Sequence, residues 1–88
     1  MRTKYLVLDN LSRFGNTEGI IVFPEFEEHE RMARKHGGKE HVVSAGFCQV
    51  GIGEYDEMIY SCYGESQSLG IKARPDIDSD MLRRLFQD

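Results

Sequence analysis

Hydrophobic residues in this chain fall in short runs, and turn-forming residues bound each run. Short runs with β-branched and aromatic side chains are typical of strands. The pattern predicts strands at residues 5–8, 20–23, 42–50, 58–63 and 69–74.

Two further segments have the signals of helices. Residues 25–36 begin with acidic side chains, end with basic ones and stop at Gly37-Gly38, which suits the helix dipole and a left-handed terminator. Residues 79–87 follow Asp78 or Ser79 as N-cap and have an apolar stripe. The pattern therefore predicts one helix inside the chain and one at its end.

The predicted element order is ββαβββα, which favours an α+β fold with two layers. In this fold, both helices pack on one face of a mainly antiparallel sheet. Strand 42–50 is apolar on both sides and is predicted to be an interior strand, so the second sheet face is expected to be free for association. The one-face arrangement predicts four side chains buried together: Phe26, Ala33, Leu82 and Leu85.

Length and composition limit the possible classes of protein. The 88 residues form a single predicted domain, 1–88, with a net charge of −4 that argues against general nucleic-acid binding. The longest apolar run is the four residues 20–23, which is too short for a membrane span. No secretion signal is recognisable near residue 1, so we expect a cytoplasmic protein.

No residue pattern indicates a catalytic, cofactor or metal site, so the sequence predicts a non-enzymatic protein without either. His29 and His36 lie seven residues apart on the predicted helix, about 10.5 Å along its axis, which is too far for one metal ion. These two and His41 are interpreted as packing residues. If the hairpin turns near 53–54, Cys48 faces residues 58–60 rather than Cys62, so both cysteines are expected to be unpaired thiols.

The hairpin turn after strand 42–50 is acidic and carries tyrosine. Tyrosine offers a large contact area at low entropy cost, and unlike charges speed encounter with a basic partner. We therefore expect a protein-binding surface, in a homodimer or with a host or phage protein, at five residues: Glu54, Tyr55, Asp56, Glu57 and Tyr60.

Two alternatives remain open from the sequence. A small nucleic-acid-associated regulator would use four basic residues near the chain end, which are Lys72, Arg74, Arg83 and Arg84. An enzyme would need a site at a dimer interface, built from His29 or His36 and a carboxylate.

The C-terminal half also carries a distinctive run. Val43-Ser44-Ala45-Gly46-Phe47, followed by the pattern G-E-S-x-S-L-G-x-K-x-R-P over residues 64–75, resembles small uncharacterised phage and prophage proteins. The resemblance implies an accessory gene product that binds a host or phage protein, and it transfers no functional residue.

Overall fold

The computed structural model describes residues 2–11 and 18–87. The loop predicted after the first strand lies partly outside this range. Within these residues the elements follow one another in this order: β1 Thr3–Leu8, β2 Gly19–Pro24, α1 His29–Lys35, a 3-10 turn Lys39–His41, β3 Val42–Ile52, β4 Met58–Tyr63, β5 Glu65–Ser66, β6 Ile71–Lys72 and α2 Pro75–Gln87.

The strands form one antiparallel sheet of order β2-β1-β3-β4 and a separate antiparallel pair, β5-β6. The α+β class and the broad order of elements are confirmed. β3 lies between β1 and β4, which confirms that strand 42–50 is interior. The predicted strand 69–74 is shorter than expected, because only β6 pairs, and its partner β5 was expected to be a turn.

The two helices lie on opposite faces of the sheet, so the prediction that they share one face is wrong. Leu6 and Leu8 of β1 pack in one core cluster with Ala33 of α1. Tyr5 and Val7 pack in the other cluster, with Leu82 of α2. Successive side chains of a strand point to opposite faces, and because β1 is apolar on both, each face needs a helix to cover it.

This arrangement also corrects the predicted common core. Ala33 and Leu82 are both buried, but they belong to different clusters. Phe26 is 77% exposed and Leu85 is 48% exposed. The prediction of a free second sheet face is therefore wrong, because each face is covered in part by a helix.

Both helices begin at residues other than those predicted. After Pro24 the chain makes a tight turn, in which the Glu27 amide donates to the Pro24 carbonyl at 3.0 Å, so α1 starts only at His29. α2 starts at Pro75, where a missing N–H costs nothing in the first helical turn. Asp78 is consequently inside the helix and is not its N-cap.

Asp78 is fully buried and joins α2 to the sheet. Its carboxylate accepts hydrogen bonds from the Tyr5 hydroxyl, from Ser44 Oγ at 2.9 Å and from the Arg74 amide at 2.8 Å. The Arg74 guanidinium bonds the same carboxylate and also bridges to Glu18 at 2.9 Å. A buried carboxylate needs such partners, and this one has four donor groups.

The register of the β3–β4 hairpin also differs from the prediction. Cys48 lies directly opposite Cys62, because the turn spans residues 53–57 and is centred later than expected. Both thiols are free and buried, and burial raises the pKa of Cys48 to about 11 and that of Cys62 to about 12. Such thiols stay protonated at neutral pH and are poor nucleophiles.

Candidate functional site

The β3–β4 hairpin extends beyond the rest of the sheet. β1 pairs with β3 only as far as Cys48, which faces Thr3. From residue 49 to residue 61, β3 and β4 pair with each other alone among the described residues. We call this two-stranded extension, residues 49–61, the arm.

One side of the arm is apolar and open to solvent. Val50 faces Tyr60 and Ile52 faces Met58, and such cross-strand pairs share a sheet face. This is the α2 side, since Tyr60 packs against the cluster that contains Leu82 and stacks on Phe86 at 6.1 Å between ring centroids. Four members are 44–72% exposed and the fifth is half-buried. We call this set the arm face: Val50, Ile52, Met58, Tyr60 and Phe86.

The outer edge of the arm has backbone groups available for pairing. The Gly53 amide donates to the Glu57 carbonyl, so by alternation the Val50–Tyr60 and Ile52–Met58 pairs are not hydrogen-bonded to each other. The amides and carbonyls of Met58 and Tyr60 therefore point away from β3. β4 is an edge strand, and an unprotected edge is a template for another strand.

The predicted acidic residues lie at the tip of the arm. Glu54, Asp56 and Glu57 are exposed, and the Tyr55 amide donates to the Glu57 carboxylate at 2.8 Å. Tyr55 itself is 87% exposed. Tyr60 is the one predicted site residue that lies away from the tip, on the arm face.

The four basic residues of the nucleic-acid alternative do not form an open cationic patch. Arg74 is held between Glu18 and Asp78, and the bond to Glu18 is the main reason why its pKa is raised. Arg83 and Arg84 both bridge to Asp80, whose pKa is lowered chiefly by the hydrogen bond from Arg83. Lys72 is exposed on β6. No observation favours phosphate binding there, and this alternative stays a prediction.

A cleft of about 670 Å³ opens on the opposite side of the sheet, between the start of α1 and the loop that contains β5. Its floor carries an aromatic pair, Phe47 and Tyr63, whose ring centroids are 6.0 Å apart. Volumes of this size are typical of small-molecule sites. The cleft was not predictable from the sequence, because its lining comes from several segments that are far apart along the chain, from Arg2 to Ser68.

His29 lines the cleft and is 5% exposed. Its Nε2 lies 2.9 Å from the Gly46 carbonyl oxygen, which only accepts, so Nε2 carries a proton and donates. The ring stands edge-on to Phe23 and Phe47. Burial lowers the pKa of His29, against the opposing effect of the Gly46 hydrogen bond, and the nearby Lys4 lowers it further.

The lowered pKa of His29 predicts a pH-dependent stability. Above about pH 6.5 the His29 ring is neutral in both the folded and the unfolded chain, so the neutral ring makes its full contribution to the free energy of unfolding. As the pH falls below that value, the unfolded chain binds a proton more readily than the folded one, so the free energy of unfolding decreases.

Urea unfolding of wild type at neutral and at mildly acidic pH measures this loss. His29→Gln should remove part of the loss, while His36→Gln, at the other end of the same helix, should retain it. An unchanged loss in His29→Gln would contradict the assignment.

Lys4 is the available cation of the cleft. Its Nζ donates one hydrogen bond to the Glu27 carbonyl at 2.9 Å and forms no ion pair within the described part of the chain. Arg2 is already engaged, since it bridges to Glu25 and its guanidinium lies 4.0 Å from the centre of the Phe47 ring. Hydrogen bonding from Arg2 accordingly lowers the pKa of Glu25.

The predicted histidines do not come together around a metal. His41 Nδ1 lies 2.9 Å from Asp9 Oδ1, whereas His29 Nε2 bonds the Gly46 carbonyl. No group of three or more potential ligands exists in residues 2–11 and 18–87. In the same part of the chain, no helix has both the length and the apolar character needed to cross a bilayer.

Comparison with family models, with curated proteins and with solved structures gives no match for this chain.

Proposed function

We propose that this protein acts by binding protein through the arm, and that the first occupant of the arm face is a second copy of the same chain. The observation that carries the proposal is the concentration of exposed apolar side chains on one side of a projecting hairpin. Contiguous apolar surface of this kind marks association sites on small proteins.

The open edge of β4 favours a symmetric pair. Two β4 strands that align antiparallel about Ile59 would exchange backbone hydrogen bonds through Met58 and Tyr60. A two-fold axis makes such a contact self-complementary, so one surface serves both subunits. The arm faces of the two copies then continue each other across the new strand pair.

The charge of the tip favours this antiparallel arrangement over a contact between tips. Glu54, Asp56 and Glu57 would repel the same residues of a second copy at close range. In the antiparallel pair, residue 55 of each copy lies four positions from the axis, so the tips are roughly 27 Å apart. That separation exceeds the screening length of about 8 Å at physiological salt.

Met58→Glu is the variant that tests the contact. Met58 is 48% exposed, so the fold loses little, whereas in the dimer the glutamate would lie beside Tyr60 of the second copy and diagonally across from the second glutamate, which repels it. We expect wild type to sediment as a dimer and Met58→Glu as a monomer. Tyr60→Glu should also dissociate the dimer, but it removes the stacking on Phe86 as well.

Phe26→Glu is the matched control, since Phe26 is 77% exposed but lies before α1, away from the arm. This variant should remain dimeric. A wild type that stays monomeric up to millimolar concentration would rule out the homodimer, and equal dissociation by both variants would rule out the arm face as the contact.

A phage or prophage origin and an accessory role are proposed from the sequence resemblance. A non-enzymatic role is proposed from the residue pattern, which indicates no catalytic arrangement. A dimer would leave both acidic tips exposed, with Tyr55 on each, as a second surface for a basic protein partner.

A further inference from the structure

We propose that the cleft between α1 and the β5 loop binds a small zwitterion, an α-amino acid with an apolar side chain. Lys4 would bind its carboxylate, His29 would accept a hydrogen bond from its ammonium group, and Tyr63 would contact the side chain. This inference is independent of the arm, which lies elsewhere in the fold.

The carboxylate position follows from Lys4. Its ammonium has three N–H donors, and the Glu27 carbonyl takes one of them while holding the group at the cleft. The other two donors have no protein acceptor in the described chain. A partly buried ammonium without a counter-ion is a site for an anionic group, because charge-assisted hydrogen bonds are stronger than neutral ones.

The ammonium position follows from the tautomer of His29. Nε2 carries the proton that it donates to Gly46, so Nδ1 of the neutral ring has a free lone pair. Every buried side-chain nitrogen and oxygen in the described residues has a hydrogen-bond partner. His29 Nδ1 has no such partner, so it is not one of the buried atoms. Nδ1 is therefore accessible, and the cleft is the opening that His29 lines. It can accept a hydrogen bond from a ligand.

The other charges at the cleft select against a purely anionic ligand. Glu28 and Glu65 both line it, and neither forms an ion pair in the described part of the chain. Two carboxylates would repel a phosphate or a nucleotide, whereas they attract an ammonium group. A ligand with one positive and one negative charge matches the whole set.

The floor of the cleft accounts for the apolar side chain. Tyr63 stacks beside Phe47 at an interplanar angle of 29°, and Arg2 already covers the Phe47 ring. The partly exposed Tyr63 ring is therefore the surface left for an apolar group. Aromatic rings pair well in offset stacks, so phenylalanine is a suitable probe.

The test is a titration of ¹⁵N-labelled protein with L-phenylalanine, followed through the amide shifts of Phe47 and Gly64. Two analogues serve as ligand controls: 3-phenylpropanoate lacks the ammonium group, and phenethylamine lacks the carboxylate. We expect saturable shifts with phenylalanine and at least about tenfold weaker binding of each analogue.

Lys4→Met should weaken phenylalanine binding at least about tenfold, while Lys39→Met, at an exposed lysine of the 3-10 turn, should leave it unchanged. If Lys4→Met does not fold, the comparison of the three ligands on wild type still tests the proposal. The absence of saturable shifts up to about 10 mM would overturn the proposal. So would equal binding of 3-phenylpropanoate, since the ammonium group would then play no part.

Discussion

Replacing Asp78 with alanine should lower the free energy of unfolding by about 3–5 kcal/mol, the cost of leaving buried charged and polar partners without their counterpart. The Tyr5 and Ser44 hydroxyls would lose their acceptor inside the core. The Arg74 guanidinium would lose its bond to the Asp78 carboxylate and retain only the one to Glu18. Since a chain of this length has a total stability of about 4–13 kcal/mol, much of the population would unfold.

Urea denaturation followed by circular dichroism measures the effect. Asp76→Ala is the matched control, because Asp76 is an exposed acidic residue two positions earlier in the same helix. It should cost at most about 1 kcal/mol, through the helix dipole. Equal losses in the two variants would show that the buried network contributes nothing specific.

Tyr5→Phe separates one bond of the network from the rest. The ring stays in the core cluster with Val7 and Leu82, and only the hydroxyl that donates to Asp78 is lost. A hydrogen bond to a charged group contributes about 1.5–3 kcal/mol. A loss as large as that of Asp78→Ala would contradict the view that several donors share the carboxylate.

The strands of the β2-β1-β3-β4 sheet were predictable from the sequence because each contains a short apolar run with clear boundaries, whereas the polar strand β5 was expected to be a turn. The placement of the helices was not predictable, because it depends on which β1 side chains each helix covers, and the neighbours Tyr5 and Leu6 are both buried, on opposite faces of the sheet. Asp78 is of a residue type that often N-caps helices, and the sequence predicted that role for it. Tyr5, which donates a hydrogen bond to it, lies 73 positions away in the sequence, so no local pattern could reveal this contact.

The hairpin register shows a second limit of local patterns. The sequence predicted a turn near residues 53–54, but the residue of this turn in the left-handed region is Asp56, with φ 63°. The resulting shift places Cys48 opposite Cys62 and lengthens the arm. The acidic tip was therefore predicted correctly as a turn, while the arm face behind it could be recognised only once the register was known.

The two candidate surfaces lie on opposite sides of the same sheet. The arm face lies on the α2 side beyond the end of β1, where no helix covers Ile52 or Met58. The cleft lies on the α1 side, where the short helix starts late and leaves space beside Lys4. Because α1 begins only at His29, the turn before it exposes Phe26 and brings the Glu27 carbonyl to Lys4.

Gly46→Ala should have the other large effect on stability, because β3 and β4 approach too closely there for a side chain. A Cβ at Gly46 would overlap the backbone carbonyl oxygen of Tyr63, which cannot turn aside as a flexible side chain would. Because backbone atoms cannot move aside easily, we expect a loss of unfolding free energy of about 3 kcal/mol, the upper end of the usual range for overpacking. The shift would also disturb the cleft, since Gly46 accepts the His29 hydrogen bond and Tyr63 lines the floor.

Gly51→Ala is the control on the same strand, because a Cβ at Gly51 would meet nothing within 4 Å. Removing a glycine from a strand lowers the entropy of the unfolded chain, so this variant should be neutral or stabilised by up to about 1 kcal/mol. Thermal unfolding of the two variants beside wild type gives the comparison. If Gly46→Ala unfolds at the wild-type temperature, the close approach of β3 to Tyr63 is wrong, and with it the geometry that holds His29 at the cleft.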